Sequence, residues 1–184
     1  MERQDTKGKI VQETFPSEIV SIIGDILAGV ILTLILLTFK SFLILIIIIP
    51  ALLSLRGSLS GPFIARTSKD LIIGEFNSKS WIENVLSTYA LSIVTACLIG
   101  IFSILLDLFL IKIHLISMET LIIIPIIAIL LTLSISIPTS TLLNYLAFRY
   151  GLNPNNVVNP IMTAIDDFFT VICFYFILIM LGVP

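Results

Sequence analysis

Asp166 and Asp167 stand side by side inside an apolar run that follows a polar, proline-punctuated turn, Asn153-Pro154-Asn155-Asn156. If that run crosses a bilayer, both carboxylates lie within it, where an isolated charge costs roughly 3 kcal/mol or more. Two more acids have similar surroundings: Asp25 in the first apolar run and Asp107 near the far end of the third. Carboxylates with hydroxyl and backbone oxygens, and no His/Cys cluster, suit hard cations such as Mg²⁺, Ca²⁺ or Na⁺. Mg²⁺ keeps several waters and takes one or two carboxylates, which matches a sparse acid set in a wet, oxygen-lined cavity. On a helix, Asp166 and Asp167 point about 100° apart, so one faces the passage while the other contacts protein. Asp107, near an interface, is expected to be simply hydrated, with a role at the entry site as the alternative. Asp25 either bonds a backbone carbonyl in protonated form, pairs with Arg56 or joins the metal site.

The composition says where these acids must live. Of 184 residues, 58% are apolar and only 12% charged, and the mean hydropathy is +1.15. That is too little polar surface for a water-soluble domain, so the class is an all-α integral membrane protein. The net charge of −2 is near balance and says little by itself; no nucleic-acid partner is expected. Cys97 and Cys173 lie in apolar runs without CxxC spacing and read as small core hydrophobes. The lone His114 reads as a solvated loop residue. Residues 1–18 lack an apolar stretch with a small-residue cleavage site, so they are expected to form a cytosolic tail and not a cleaved signal.

Residues 19–184 then form one domain of five transmembrane helices. The first runs from about Ile19 to Phe39, with Gly24, Ala28 and Gly29 offering close helix contacts. The second has a continuous apolar part, Phe42 to Leu55, that is too short to span, contains Pro50, and leads into Arg56-Gly57-Ser58-Leu59-Ser60-Gly61-Pro62. An interrupted second helix is therefore expected, with irregular backbone lining a watery cavity. Thr67 to Glu83 is polar and could hold an interfacial helix anchored by Trp81. The third span covers about Asn84 to Ile111, the fourth about Thr120 to Leu143, and the fifth about Val157 to Gly182. The fourth carries Pro125 and Pro138 with Thr132, Ser134, Ser136, Thr139, Ser140 and Thr141, a kinked helix facing other helices or water. At least half of those hydroxyls are expected to bond their own backbone.

A cytosolic N-terminus puts Arg3, Lys7, Lys9, Arg56, Arg66, Lys69, Lys79 and Arg149 inside and only Lys40 and Lys112 outside. This positive-inside bias sets the orientation, and five spans put the C-terminus outside. Asp25 and Asp167 then lie at one depth, roughly 12–15 Å from the cytosolic end, level with the second helix's Gly/Ser/Pro stretch.

Two stretches carry a family likeness. Gly151-Leu152-Asn153-Pro154 followed by Asn159-Pro160-Ile161-Met162-Thr163-Ala164-Ile165-Asp166-Asp167 resembles the turn and start of the fifth helix in the MgtE magnesium-transporter family. Ile49-Pro50-Ala51-Leu52-Leu53-Ser54-Leu55-Arg56-Gly57-Ser58-Leu59-Ser60-Gly61, with Arg66 and Gly74 downstream, resembles the second-helix motif of its archaeal members and of related eukaryotic solute carriers. The resemblance implies divalent-cation transport, Mg²⁺ first, across a prokaryotic (archaeal) cell membrane. It also implies a path along a homodimer axis built from the second and fifth helices. On this alignment Asp167 matches the family's pore aspartate, and Asp166 a neighbouring polar position. Gly57, Ser58 and Gly61 match the Gly/Asn-rich stretch, with Ser58 where an Asn is common. The candidate metal set is Asp167, Asp166, Asp25, Gly57, Ser58 and Thr163. Typical bacterial members carry a large cytosolic magnesium-sensing portion. Only about eighteen residues precede the first span here, so conduction without that brake, or regulation by another chain, is expected.

Other classes compete. Gly24-Asp25 and Pro50-Ala51-Leu52 superficially suggest an intramembrane aspartyl protease, but Ile22 stands where that pattern needs Gly, and an enzyme is not expected. A Na⁺- or H⁺-coupled carrier and a non-conducting subunit of a heteromeric transporter use the same residue types.

Overall fold

The computed structural model describes residues 6–38, 43–112 and 115–183. Arg3, Lys40 and His114 lie outside them. The chain forms α1 (Lys7–Thr38), α2 (Leu43–Ile73), α3 (Ser78–Leu106), α4 (Met118–Arg149) and α5 (Pro154–Met180). All five are long and apolar enough to cross a membrane. At 32 residues, α1 and α4 each extend about 48 Å, well beyond the roughly 30 Å hydrocarbon layer. The protein is a multi-pass membrane protein with an all-helical fold.

Local chemistry explains where the helices start and stop. Asn77, Ser117 and Asn153 cap α3, α4 and α5 by accepting from the backbone N–H of Ser80, Thr120 and Asn155. Pro154 occupies the first turn of α5, where its missing N–H costs nothing. Gly151 ends α4 at φ +73°, and the Leu152 N–H reaches back to the Ala147 carbonyl. This left-handed turn suits glycine and satisfies the last carbonyls of α4. The connection between the fourth and fifth spans, expected to run from Leu143 to Val157, thus shrinks to Tyr150–Asn153.

α5 is the hub, packing on α1, α4 and α2. A Cβ on Gly24 of α1 would stand 2.5 Å from the Ala164 Cβ of α5, so only glycine permits this approach. Gly100 of α3 plays the same part against α4, where a Cβ would meet the Ile122 Cα at 2.7 Å. Ala28 is buried, whereas Gly29 has open space and marks no contact.

Four expectations need correction. First, α2 is one continuous helix of 31 residues, not an interrupted one. Pro50 and Pro62 each remove an N–H, but a lost i→i−4 bond need not end a helix packed on neighbours. Ser58 Oγ donates to the Leu55 carbonyl at 2.8 Å and Ser60 Oγ to the Arg56 carbonyl at 3.0 Å, so both hydroxyls are satisfied within the helix. Second, residues 7–18 belong to α1 and are no separate tail. Pro160 lacks an N–H, which frees the Asn156 carbonyl of α5, and Ser17 Oγ reaches it at 3.3 Å. Glu13 Oε2 accepts from the Asn153 N–H at 3.2 Å and from Asn156 Nδ2 at 2.9 Å. α1 is thereby tied to the start of α5 well before the apolar run begins. Third, no separate interfacial helix forms over 67–83, because α2 reaches Ile73 and α3 starts at Ser78; Trp81 lies in α3 and donates to Thr141 Oγ1 at 3.0 Å. Fourth, Asp107 is buried, not at a hydrated mouth, and begins a π-helical turn, Asp107–Ile111, at the end of α3.

Candidate cation pathway

On α5, Asn159, Thr163 and Asp167 recur every fourth residue and so share one face. Asn159 and Thr163 are exposed and Asp167 is half-buried. The facing strip of α2 is made of small residues: Ser54, Gly57 and Ser58 are exposed and Gly61 partly so. The two strips adjoin, since a Cβ on Gly61 would lie 3.9 Å from Asn159 Oδ1. Thr163 Oγ1 donates to the Asn159 carbonyl at 3.0 Å, and its lone pairs remain for a ligand. Pro62 supplies no N–H, so the Ser58 carbonyl loses its i+4 donor and is a further oxygen on this strip.

Asp25 approaches from α1, one residue beyond the Gly24–Ala164 contact. Its Oδ2 lies 3.4 Å from Ser21 Oγ, and its Oδ1 is buried with no hydrogen-bond partner. Asp25, Asp166 and Arg56 all fall within electrostatic range of Asp167.

Asp166 has a different fate. It is 2% exposed and ion-paired with Arg56 Nη2, and Arg56 itself is fully buried. The same Nη2 donates to Ser136 Oγ of α4 at 2.7 Å, so one guanidinium joins α2, α4 and α5. Of the two neighbouring acids, Asp166 is the one that contacts protein, through its pairing with Arg56. Arg56 pairs with Asp166 and not with Asp25, and it cannot count as a cytosolic loop cation. Five of the six expected α4 hydroxyls, those of Thr132, Ser134, Thr139, Ser140 and Thr141, bond their own helix backbone, and Ser136 is left to serve Arg56.

The expected set therefore divides. Asp167, Thr163, Gly57 and Ser58 lie on one open surface, Asp25 stands at its edge, and Asp166 is inside. Asn159 joins the surface too, a placement that its four-residue spacing from Thr163, and Thr163's from Asp167, could have signalled. Among the described residues, no three His, Cys, Asp or Glu side chains are grouped to hold a metal ion.

A family model described as MgtE, divalent cation transporter, matches residues 49–177. The chain belongs to the MgtE family. No curated protein and no solved structure matches it. The MgtE match begins within α2 and ends within α5, so it contains both surface strips and the Arg56–Asp166 pair. α1 and Asp25 fall before it. As an MgtE member the protein is a divalent cation transporter, which accords with the absence of any expected enzymatic role.

Proposed function

We propose that this chain carries Mg²⁺ through the membrane along the axis of a C₂ homodimer, with Asp167 of both copies facing the ion. The observation that carries the reading is the half-buried Asp167 on an open strip of oxygen-bearing and small residues, with no group of three metal-ligating side chains among the described residues. A two-fold axis beside this strip would double the carboxylates and enclose the path. Asn159 and Thr163 of α5 and the Ser58 oxygens of α2 then contact the ion's retained water, while Gly57 and Gly61 leave room for it. Asp25 adds negative charge at the margin.

Asp25 also gives a second reading its footing. Its unpartnered Oδ1 near Asp167 is where a driving Na⁺ or proton would sit in a coupled carrier. Mg²⁺ uptake into liposomes holding the purified protein separates the two. The channel reading expects uptake down a Mg²⁺ gradient alone, unchanged by added Na⁺ or pH gradients. Uptake that requires either gradient would replace the channel with the carrier, and no uptake under any gradient would leave a non-conducting subunit.

A further inference from the structure

The Arg56–Asp166 pair sits one residue behind the proposed path on both helices: Arg56 precedes Gly57 and Ser58, and Asp166 precedes Asp167. Burying an ion pair costs several kcal/mol per ion, and apolar side chains of like size are often as stable or more so. The pair is also locally incomplete. Arg56 Nε and Nη1 are buried without hydrogen-bond partners, so only Nη2 is engaged. Packing alone gives a poor account of such a charge, whereas proximity to the path gives a good one. Its positive charge acts on Asp167 from within the protein, and arginine holds that charge at any working pH.

We propose that Arg56 is a tethered counter-cation that sets the affinity of the conducting site by cancelling the charge of Asp166. The inference rests on Asp167 lining the ion path. Without Arg56, two copies would gather the carboxylates of Asp166 and Asp167 at one level and hold a divalent ion too tightly to release it. With Arg56, Asp167 is left as the carboxylate that attracts the ion. Conduction needs this balance, strong enough to admit a cation and weak enough to let it go. Arg56 is thus a positioning and specificity-determining residue that never touches the ion.

The test is a charge cycle read by Mg²⁺ uptake in proteoliposomes, with thermal unfolding of each variant measured alongside. Asp166→Asn leaves Arg56 uncompensated and should raise KM by about tenfold or more. Arg56→Gln should lower both KM and maximal flux. The double variant should bring KM back to within about threefold of the parent, even if its melting temperature stays low. Arg56→Lys, which keeps charge but not the planar hydrogen bonds, should also hold KM within about threefold. A double variant no better than Asp166→Asn, or KM values that merely track melting temperature, would overturn the proposal. An Arg56→Lys shift equal to that of Arg56→Gln would do the same. Failure of this cycle while Asp167→Asn still abolishes flux would remove only Arg56; retained flux in Asp167→Asn would remove the conduction reading itself.

Discussion

Asp167→Asn in the reconstituted protein is expected to cut Mg²⁺ flux at least about tenfold while leaving the assembled protein intact. A carboxylate near a cation is worth about 4 kcal/mol per unit charge pair at 4 Å and an effective dielectric constant of 20, before desolvation is counted. Replacing it with an amide of the same size keeps the shape and removes the charge from both copies at once. Folding should hardly notice, because Asp167 is only half-buried and its neighbour Asp166 makes the contact with Arg56. The contrast with Asp166 is diagnostic. Two adjacent acids, identical in type, should respond oppositely: substitution at Asp167 removes conduction with little change in melting temperature, whereas substitution at Asp166 lowers stability by leaving Arg56 buried and unpaired. Size-exclusion mass and melting temperature beside the flux assay check both halves of the statement.

Gly24→Leu is expected to be the most disruptive change outside the polar residues. The Ala164 Cβ stands 2.5 Å from where a Gly24 Cβ would lie, and both positions are fixed by helix backbone. Overpacking a closed contact costs about 1–3 kcal/mol or more, and here the only relief is for α1 to move off α5. Asp25 is the next residue, so that movement also withdraws its carboxylate from Asp167. The expected result is a clear fall in melting temperature together with reduced Mg²⁺ flux. Gly29→Leu is the control. It faces open space, and lipid accepts an added apolar side chain there, so stability should change little.

Much of this architecture was legible from residue types alone. Five apolar runs gave five helices. The two resembling stretches named the family. The errors have a common physical cause. Arg56, Gly57, Gly61 and Pro62 look like the end of a helix when judged by local propensity, because a charge and three helix breakers follow a short apolar run. In the folded protein the charge finds Asp166 and Ser136 on helices far away in sequence, and the helix continues. Tertiary pairing overrode local preference. Asp107 differs in a related way: its count along the chain puts it near an interface, but the folded protein buries it where the π-helical turn begins. Residues 7–18 looked like a tail because they are polar, yet Glu13 and Ser17 bond the start of α5 and extend the helix. The Asn159–Thr163–Asp167 spacing was visible throughout, and only its junction with Gly61 showed that it borders the small strip of α2.

A structure of the assembled protein grown with Mn²⁺ in place of Mg²⁺, with the metal located by its anomalous scattering, reads the heart of this account. It should show a metal on a two-fold axis between the two Asp167 carboxylates, bound directly or through one water, with each Asp166 still on its own Arg56. An assembly that turns Asp167 toward lipid, or a metal held by Asp166 away from any axis, would contradict it.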